Sequence, residues 1–173
     1  MARNALIVVD MLVDFIDKNG ALYCGPTVEK TVPFIKREIE RAREAGDLIV
    51  YLADSHKPDD KEFQMFPKHC IKGTPGAQVV PQLKPERGDV VIRKTRYSGF
   101  YGTKLAEILK ENKVRHVTVM GVCTSICVMD TVGGLRNRDY PVTVLKKGVA
   151  DFDQKFHRFA LRRMQKTYGA KIV

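Results

Sequence analysis

The chain has 173 residues, 44% of them hydrophobic, and a formal net charge of +10 at pH 7. This length suits one domain with a full core, so we treat 1–173 as a single domain. No apolar run reaches the roughly 18 residues of a membrane span, which argues against a membrane protein. The basic residues are spread over several predicted helices without interleaved stacking aromatics, which disfavours nucleic-acid binding. The first residues, MARNALIVVD, read as a strand rather than a signal peptide, and we expect a cytoplasmic protein.

Apolar, β-branched runs alternate with helical patterns along the whole chain. Helix caps are expected at Thr27, which begins the first helix, and at Gly46, which follows its end. The alternation predicts an α/β fold, a single-domain doubly wound six-stranded parallel sheet with helices on both faces and a Rossmann-like topology. The predicted strands are 5–9, 48–53, 89–93, 116–120, 142–146 and 170–173, and the predicted helices are 27–45, 102–112, 125–137 and 153–167.

One connection, 54–88, is too long to be an ordinary loop. It is rich in proline, glycine and charge, and loops beyond roughly 12–15 residues are usually functional or disordered. Because it carries Phe63, Phe66 and His69, disorder is not expected. We interpret 54–88 as a pocket wall and lid, and call it the lid segment.

Chemically active side chains follow the ends of four predicted strands. Asp10 closes the first strand, Asp54 and His56 follow the second, Lys94 follows the third and Cys127 comes soon after the fourth. The carboxyl ends of parallel strands form a single crevice in which ligands bind. The convergence of a carboxylate, an amine, a thiol and a metal-ligand pair predicts an enzyme.

Cys127 is the candidate nucleophile. It is expected in the first turn of a helix, where the helix dipole would lower the pKa of its thiol; the alternative is a buried structural cysteine. Asp10 can take the thiol proton and Lys94 can stabilise the thiolate. Their structural alternatives are a helix cap or loop anchor for Asp10 and an ordinary strand-end lysine for Lys94.

Asp54 and His56 are two residues apart, so on an extended backbone both side chains face the same way. With His69 they supply one carboxylate and two imidazoles, a set suited to Zn²⁺ or Fe²⁺ with open positions. Glu62 could add a fourth ligand. A purely structural role for the two histidines remains the alternative.

These residues resemble a known family over essentially the whole chain. Asp10, Lys94 and the segments DSH (54–56), FPKHC (66–70), GTPGA (73–77) and GVCTSICV (121–128) resemble the isochorismatase-like cysteine hydrolases, in their nicotinamidase/pyrazinamidase branch. The resemblance implies an Asp10–Lys94–Cys127 triad. It also implies metal ligation by Asp54, His56 and His69, with Glu62 where some members have a further ligand and others a histidine.

The resemblance implies further features of the site. A cis peptide is expected before Cys123, with the N–H groups of Cys123 and Cys127 forming an oxyanion hole. Phe15 and Phe66 match the aromatic positions that enclose a pyridine ring. The expected cofactor is one divalent transition metal, Zn²⁺ first, with Fe²⁺ or Mn²⁺ as alternatives. The expected partners are nicotinamide and pyrazinamide, with neither nucleic acid nor membrane, and the chain is expected to form a homo-oligomer.

Two other readings remain. The first is another hydrolase of the superfamily: an isochorismatase, or a carbamoyl-amine or ureidoacrylate amidase; those branches generally lack the metal triplet. The second is a nucleotide-binding module, which would need a glycine-rich turn after the first strand. The segment VVDMLVDF has no such turn.

Overall fold

The computed structural model describes residues 3–173, which form one sheet flanked by helices. The strands are β1 (Arg3–Val9), β2 (Leu48–Asp54), β3 (Val90–Lys94), β4 (Val114–Val122), β5 (Val142–Ala150) and β6 (Lys171–Ile172). The helices are α1 (Val13–Ile16), α2 (Thr27–Glu44), α3 (Leu105–Glu111), α4 (Met129–Arg136) and α5 (Gln154–Lys166). Val, Ile and Leu dominate the strands because most of these residues are buried in a sheet covered on both faces.

All neighbouring strands pair in parallel, in the order β3-β2-β1-β4-β5-β6. β1 therefore lies between β2 and β4, and the strand order reverses beside it. Such a reversal opens a crevice at the carboxyl ends of the strands, between β1 and β4. This confirms the predicted six-stranded doubly wound sheet.

The two faces of the sheet carry different helices. Alternate residues of β1 point to opposite sides, so Ile7 packs with α3, α4 and α5, whereas Val8 packs with α1, α2 and the lid segment. The lid segment contains three short 3₁₀ turns, Lys61–Gln64, Pro75–Ala77 and Pro81–Leu83. It is thus built into the wall of the crevice, although it has no long regular element.

The structure corrects some of the expected helix caps and boundaries and confirms others. Thr27 does not cap α2: it is the first helical residue, and Pro26 precedes it without any side-chain cap. Gly46 follows the helix with a φ of 74°, as predicted. The helix that follows the third strand, α3, starts at Leu105 rather than at 102.

The fifth strand continues to Ala150 instead of ending at 146, and an irregularity lies in its middle. Val119 pairs with Val144, but Gly121 pairs with Val149, so the exposed Lys146 and Lys147 lie in a bulge. Because these two charged residues interrupt the hydrophobic pattern, the sequence predicts an end to the strand before its second, buried part. Within residues 3–173, no helix is long and apolar enough to cross a membrane.

Candidate active site

Asp10 and Cys127 reach the crevice from the two strands beside the reversal of strand order. Asp10 follows β1 with a φ of 50°, a left-handed conformation that aspartate tolerates better than most residues. Gly121 lets β4 approach β1 closely, because a Cβ on it would lie 2.0 Å from the Val9 carbonyl oxygen. Glycine is therefore required where the chain turns towards the candidate nucleophile.

Lys94 connects the candidate triad. Its Nζ lies 2.7 Å from Asp10 Oδ2 and 2.5 Å from Asp54 Oδ1. The same ammonium donates to Cys127 Sγ over 3.5 Å. Asp10 Oδ1 accepts the Asp54 backbone N–H at 3.0 Å. All four side chains are buried, so Lys94 joins two carboxylates to the thiol inside the protein.

Burial changes the protonation behaviour of this group. It raises the pKa of Asp10 to about 7, with a further increase from Asp54 that the nearby ammonium of Lys94 only partly offsets. Asp10 can therefore exchange a proton near neutral pH. Burial opposes the charge on Lys94, but Asp10 and Asp54 outweigh it and hold the pKa of the amine well above its ordinary value.

Cys127 lies in a π-helical turn, Thr124–Val128, that leads into α4. Burial raises the pKa of its thiol well above the ordinary value; Lys94 acts against this increase, and Asp10 adds to it. The expected lowering of this pKa is wrong, because desolvation and the nearby carboxylates of Asp10 and Asp54 outweigh the effect of Lys94. The thiol therefore keeps its proton until a base takes it.

The backbone around the candidate nucleophile is firmly held. Asp151 is buried and accepts the Ser125 N–H at 2.6 Å, while the Thr124 hydroxyl donates to the Ala150 carbonyl at 2.9 Å. The Val122–Cys123 peptide is cis, as the resemblance implied. Cys123 lines the cavity beside Cys127, and their assignment as an oxyanion hole stays a prediction.

Beside the triad, four buried side chains form a cluster that could hold a metal ion: Asp54, His56, Glu62 and His69. Their candidate ligand atoms all lie within 4.8 Å of one another. His56 Nε2 is 3.6 Å from Asp54 Oδ2, and His69 Nε2 is 3.8 Å from Glu62 Oε1. Asp54 thus faces Lys94 with one oxygen and this cluster with the other.

The chemistry of the cluster fits a divalent transition metal. His56 Nε2 and Glu62 Oε2 are buried without a hydrogen-bond partner, as expected of metal ligands. The Nδ1 of His69 contacts the Pro67 carbonyl at 2.7 Å, so the ring donates there and its Nε2 is left free as a ligand. Two imidazoles and two carboxylates are ligands that Zn²⁺, Fe²⁺ and Mn²⁺ all accept.

The lid segment places His69 through contacts with β2 and α1. The His56 backbone N–H donates to the Cys70 carbonyl at 2.9 Å, and Asp14 Oδ2 accepts the Cys70 N–H at 2.7 Å. Gly76 packs against the same carboxylate, since a Cβ there would lie 2.2 Å from Asp14 Oδ2. The lid segment therefore closes on Asp14 at a position where any side chain would force the Asp14 carboxylate to move.

A small cavity joins the cluster to Cys127. Its volume is about 290 Å³, including the part that is open to solvent. Phe15 and Phe66 lie in its wall, with ring centroids 5.4 Å and 6.3 Å from that of His69. The lining residues of the cavity are Phe15, Leu22, Asp54, Glu62, Phe66, His69, Tyr97, Cys123, Ile126, Cys127 and Phe152.

Known proteins share both this sequence and this fold. The sequence profile of the isochorismatase domain matches residues 4–173. The chain belongs to the isochorismatase family. The structure of this family member is similar to that of an N-carbamoylsarcosine amidase from Thermoplasma acidophilum, with 37% identity, a TM-score of 0.89, and coverage of 98% of this chain and 95% of the other.

Two further solved structures resemble this isochorismatase-family protein even more closely in fold. The nicotinamidase/pyrazinamidase PncA from Bacillus subtilis has 32% identity and a TM-score of 0.94, with 99% of each chain covered. The pyrazinamidase of Pyrococcus horikoshii, solved in complex with zinc, has 35% identity and a TM-score of 0.93, covering 99% of this chain and 98% of the other.

Sequence reasoning missed several parts of this isochorismatase-family site. Phe152 lines the cavity and Asp151 supports the nucleophile turn, and both follow the true end of β5. A strand predicted to end at 146 hides them, although the rule that functional residues follow strand ends would otherwise have found them. Tyr97 carries no such signal, because it lies in a loop beyond β3.

Proposed function

We propose that this protein is a metal-containing cysteine amidase that converts nicotinamide and water to nicotinate and ammonia, and that it also accepts pyrazinamide. The observation that carries the proposal is one shared cavity, whose lining contains Cys127 together with three residues of the metal-ligand cluster, Asp54, Glu62 and His69. A ring held between them would present a carboxamide to the thiol. The nicotinamidase and pyrazinamidase structures that this chain resembles support the same substrate class.

The reaction follows from the protonation states of the triad. Asp10 accepts the Cys127 proton as Sγ attacks the carboxamide carbon, and Lys94 stabilises the thiolate while it forms. The N–H groups of Cys123 and Cys127 would hold the developing oxyanion. Asp10 returns the proton to the leaving nitrogen, which departs as ammonia and leaves a thioester on Cys127.

Hydrolysis of the thioester completes the cycle. Asp10 takes a proton from water, the resulting hydroxide attacks the thioester carbon, and Cys127 leaves as the thiol when it regains the proton. Asp54, His56, His69 and Glu62 would hold the metal ion, which when bound supplies a Lewis acid that orients the ring nitrogen. Asp54 pairs with Lys94 through Oδ1 and faces His69 through Oδ2, so one carboxylate connects the triad with this cluster.

A second candidate is a carbamoyl-amine amidase, favoured by the 37% identity to the N-carbamoylsarcosine amidase. If the metal ion holds one end of the substrate, a carboxylate at the other end would need a cationic side chain in the cavity to pair with it. Among the described residues that line the cavity there is no lysine or arginine. We therefore prefer an uncharged aromatic carboxamide.

The deciding experiment measures ammonia release by the purified, metal-loaded protein. Nicotinamide and pyrazinamide are compared with N-carbamoylsarcosine and ureidoacrylate, and Cys127→Ala serves as the inactive control. We expect the highest kcat/KM with nicotinamide or pyrazinamide. Faster hydrolysis of a carbamoyl amine would instead establish the second candidate.

A further inference from the structure

The two cluster histidines are held from outside the cluster by different groups. His69 Nδ1 contacts a backbone carbonyl, whereas His56 Nδ1 contacts the side chain of Asp60 at 3.1 Å. A hydrogen bond at Nδ1 fixes the imidazole tautomer and turns its Nε2 lone pair towards the metal position. For His56, this orientation therefore depends on one carboxylate.

The same carboxylate also positions a second cluster residue. Asp60 caps the 3₁₀ turn Lys61–Gln64, and its Oδ1 accepts the Glu62 backbone N–H at 3.0 Å. That turn carries the Glu62 side chain into the buried cluster, where its Oε2 has no hydrogen-bond partner. The two oxygens of Asp60 thus fix His56 and Glu62, which approach the centre from different parts of the chain.

Arg96 holds Asp60 in place. Its Nη1 lies 3.0 Å from Asp60 Oδ1 and 3.1 Å from Oδ2. Arg96 stands two residues beyond Lys94, the last residue of β3, so its backbone starts at the end of the sheet. The side chain of Asp60 is 8% exposed and that of Arg96 is 37% exposed, which places the pair between the buried cluster and the solvent.

We propose that Asp60, held by Arg96, is a positioning residue of the metal centre that sets the metal affinity through His56 and Glu62 together. This rests on the proposed function, in which these residues bind the metal. Outer-shell partners of metal ligands typically change affinity 10- to 100-fold when substituted. Asp60 supports two ligands, so its loss should fall in that range.

The test is a Zn²⁺ titration of the full chain, stripped of metal, in competition with a chromogenic chelator. We expect Asp60→Asn to weaken Zn²⁺ binding about 10- to 100-fold and Arg96→Gln to weaken it by a smaller factor. The matched controls are Asp59→Asn and Arg87→Gln, whose side chains are exposed, and they should bind like the wild type.

Absorption spectra of the Co²⁺-loaded proteins give a second readout, because they report ligand geometry rather than folding. The band of Asp60→Asn should shift, and that of Asp59→Asn should not. If Asp60→Asn does not fold, Arg96→Gln decides alone, since Arg96 lies nearer the surface. Wild-type affinity and spectra in Arg96→Gln and in any folded Asp60→Asn would overturn the proposal. A wild-type protein that binds no Zn²⁺ would overturn the metal centre itself.

Discussion

Lys94 is a buried charge whose partners make its position possible. A buried ammonium is strongly unfavourable unless it is paired, and breaking such a pair typically costs about 3–5 kcal/mol. Here two carboxylates neutralise it and the Cys127 thiol lies within 3.5 Å. Lys94 is thus held where a thiolate would form, and its removal would leave Asp10 and Asp54 facing each other.

The nucleophile can be tested by substitution and by labelling. Cys127→Ala should lower kcat by on the order of 10⁶-fold while leaving the fold and metal content unchanged. Iodoacetamide should label Cys127 before Cys24 or Cys70, because Asp10 and Lys94 assist only that thiol, and nicotinamide should protect it. Peptide mass mapping identifies the labelled residue. Labelling elsewhere with full activity retained would contradict the assignment.

The ring slot gives a different kinetic signature. Loss of one aromatic contact removes about 0.5–1.5 kcal/mol, so Phe66→Ala should raise KM for nicotinamide about 2- to 13-fold with a smaller fall in kcat. Lys94→Ala should instead collapse kcat. Met65→Ala is the control, since Met65 is 64% exposed beside Phe66. An unchanged KM in Phe66→Ala would remove Phe66 from the slot.

At the scale of elements, the lid segment depends on backbone contacts and small residues more than on regular structure. His56 forms an isolated bridge with Ile71, and Leu12 forms another with Val79. The close contact between Gly76 and Asp14 joins these two regions. A change at this contact should therefore affect the whole lid segment and, through it, His69.

A double-mutant cycle tests that contact. Gly76→Ala should destabilise the protein by about 1–3 kcal/mol, as overpacking does. Asp14→Ala should also destabilise it, because the Asp14 carboxylate accepts the backbone N–H groups of Ala21 and Cys70. In the double variant the methyl group has room, so its total cost should be clearly less than the sum. Urea unfolding measures all four proteins. Additive effects within about 0.5 kcal/mol would show that the two residues do not interact.

A comparison of the predicted and observed elements shows which features can be predicted from the sequence. β1 and β2 were predicted closely because runs such as LIVV and LIVY are short and rich in β-branched residues, which favours strands. The π-helical turn at Cys127 was missed because it is held by hydrogen bonds to Ala150, the last residue of β5, and to Asp151, which follows it. The site residues could be proposed from their place after strand ends, but the pKa of Cys127 could not, since burial decides it.

At the scale of the whole molecule, the net charge is +10, yet none of the described residues that line the cavity is a lysine or an arginine. The solved structures that this chain resembles are those of enzymes whose names give small molecules as substrates. The expected homo-oligomer stays a prediction.

Metal removal should destabilise the whole protein, because the ligands of the centre come from β2 and from the lid segment. A ligand at 100 times its Kd stabilises the folded state by about 2.7 kcal/mol, which corresponds to about 5–10 °C in Tm for a chain of this size. A chelator should therefore lower the Tm of the wild type and of Asp59→Asn. His69→Ala should not respond. A metal-loaded wild type with an unchanged Tm would contradict this prediction.

The strand of the sheet that comes first along the chain, β1, lies in the middle of the sheet. Val9 pairs with Leu52 on one side, but its partner on the other side, Gly121, comes far later in the chain. Pairing between distant segments is slow because loop closure precedes it. A chain still being made on the ribosome thus holds Asp10 and Lys94 without Cys127, and recovery of activity during refolding should report the docking of β4 rather than the initial collapse.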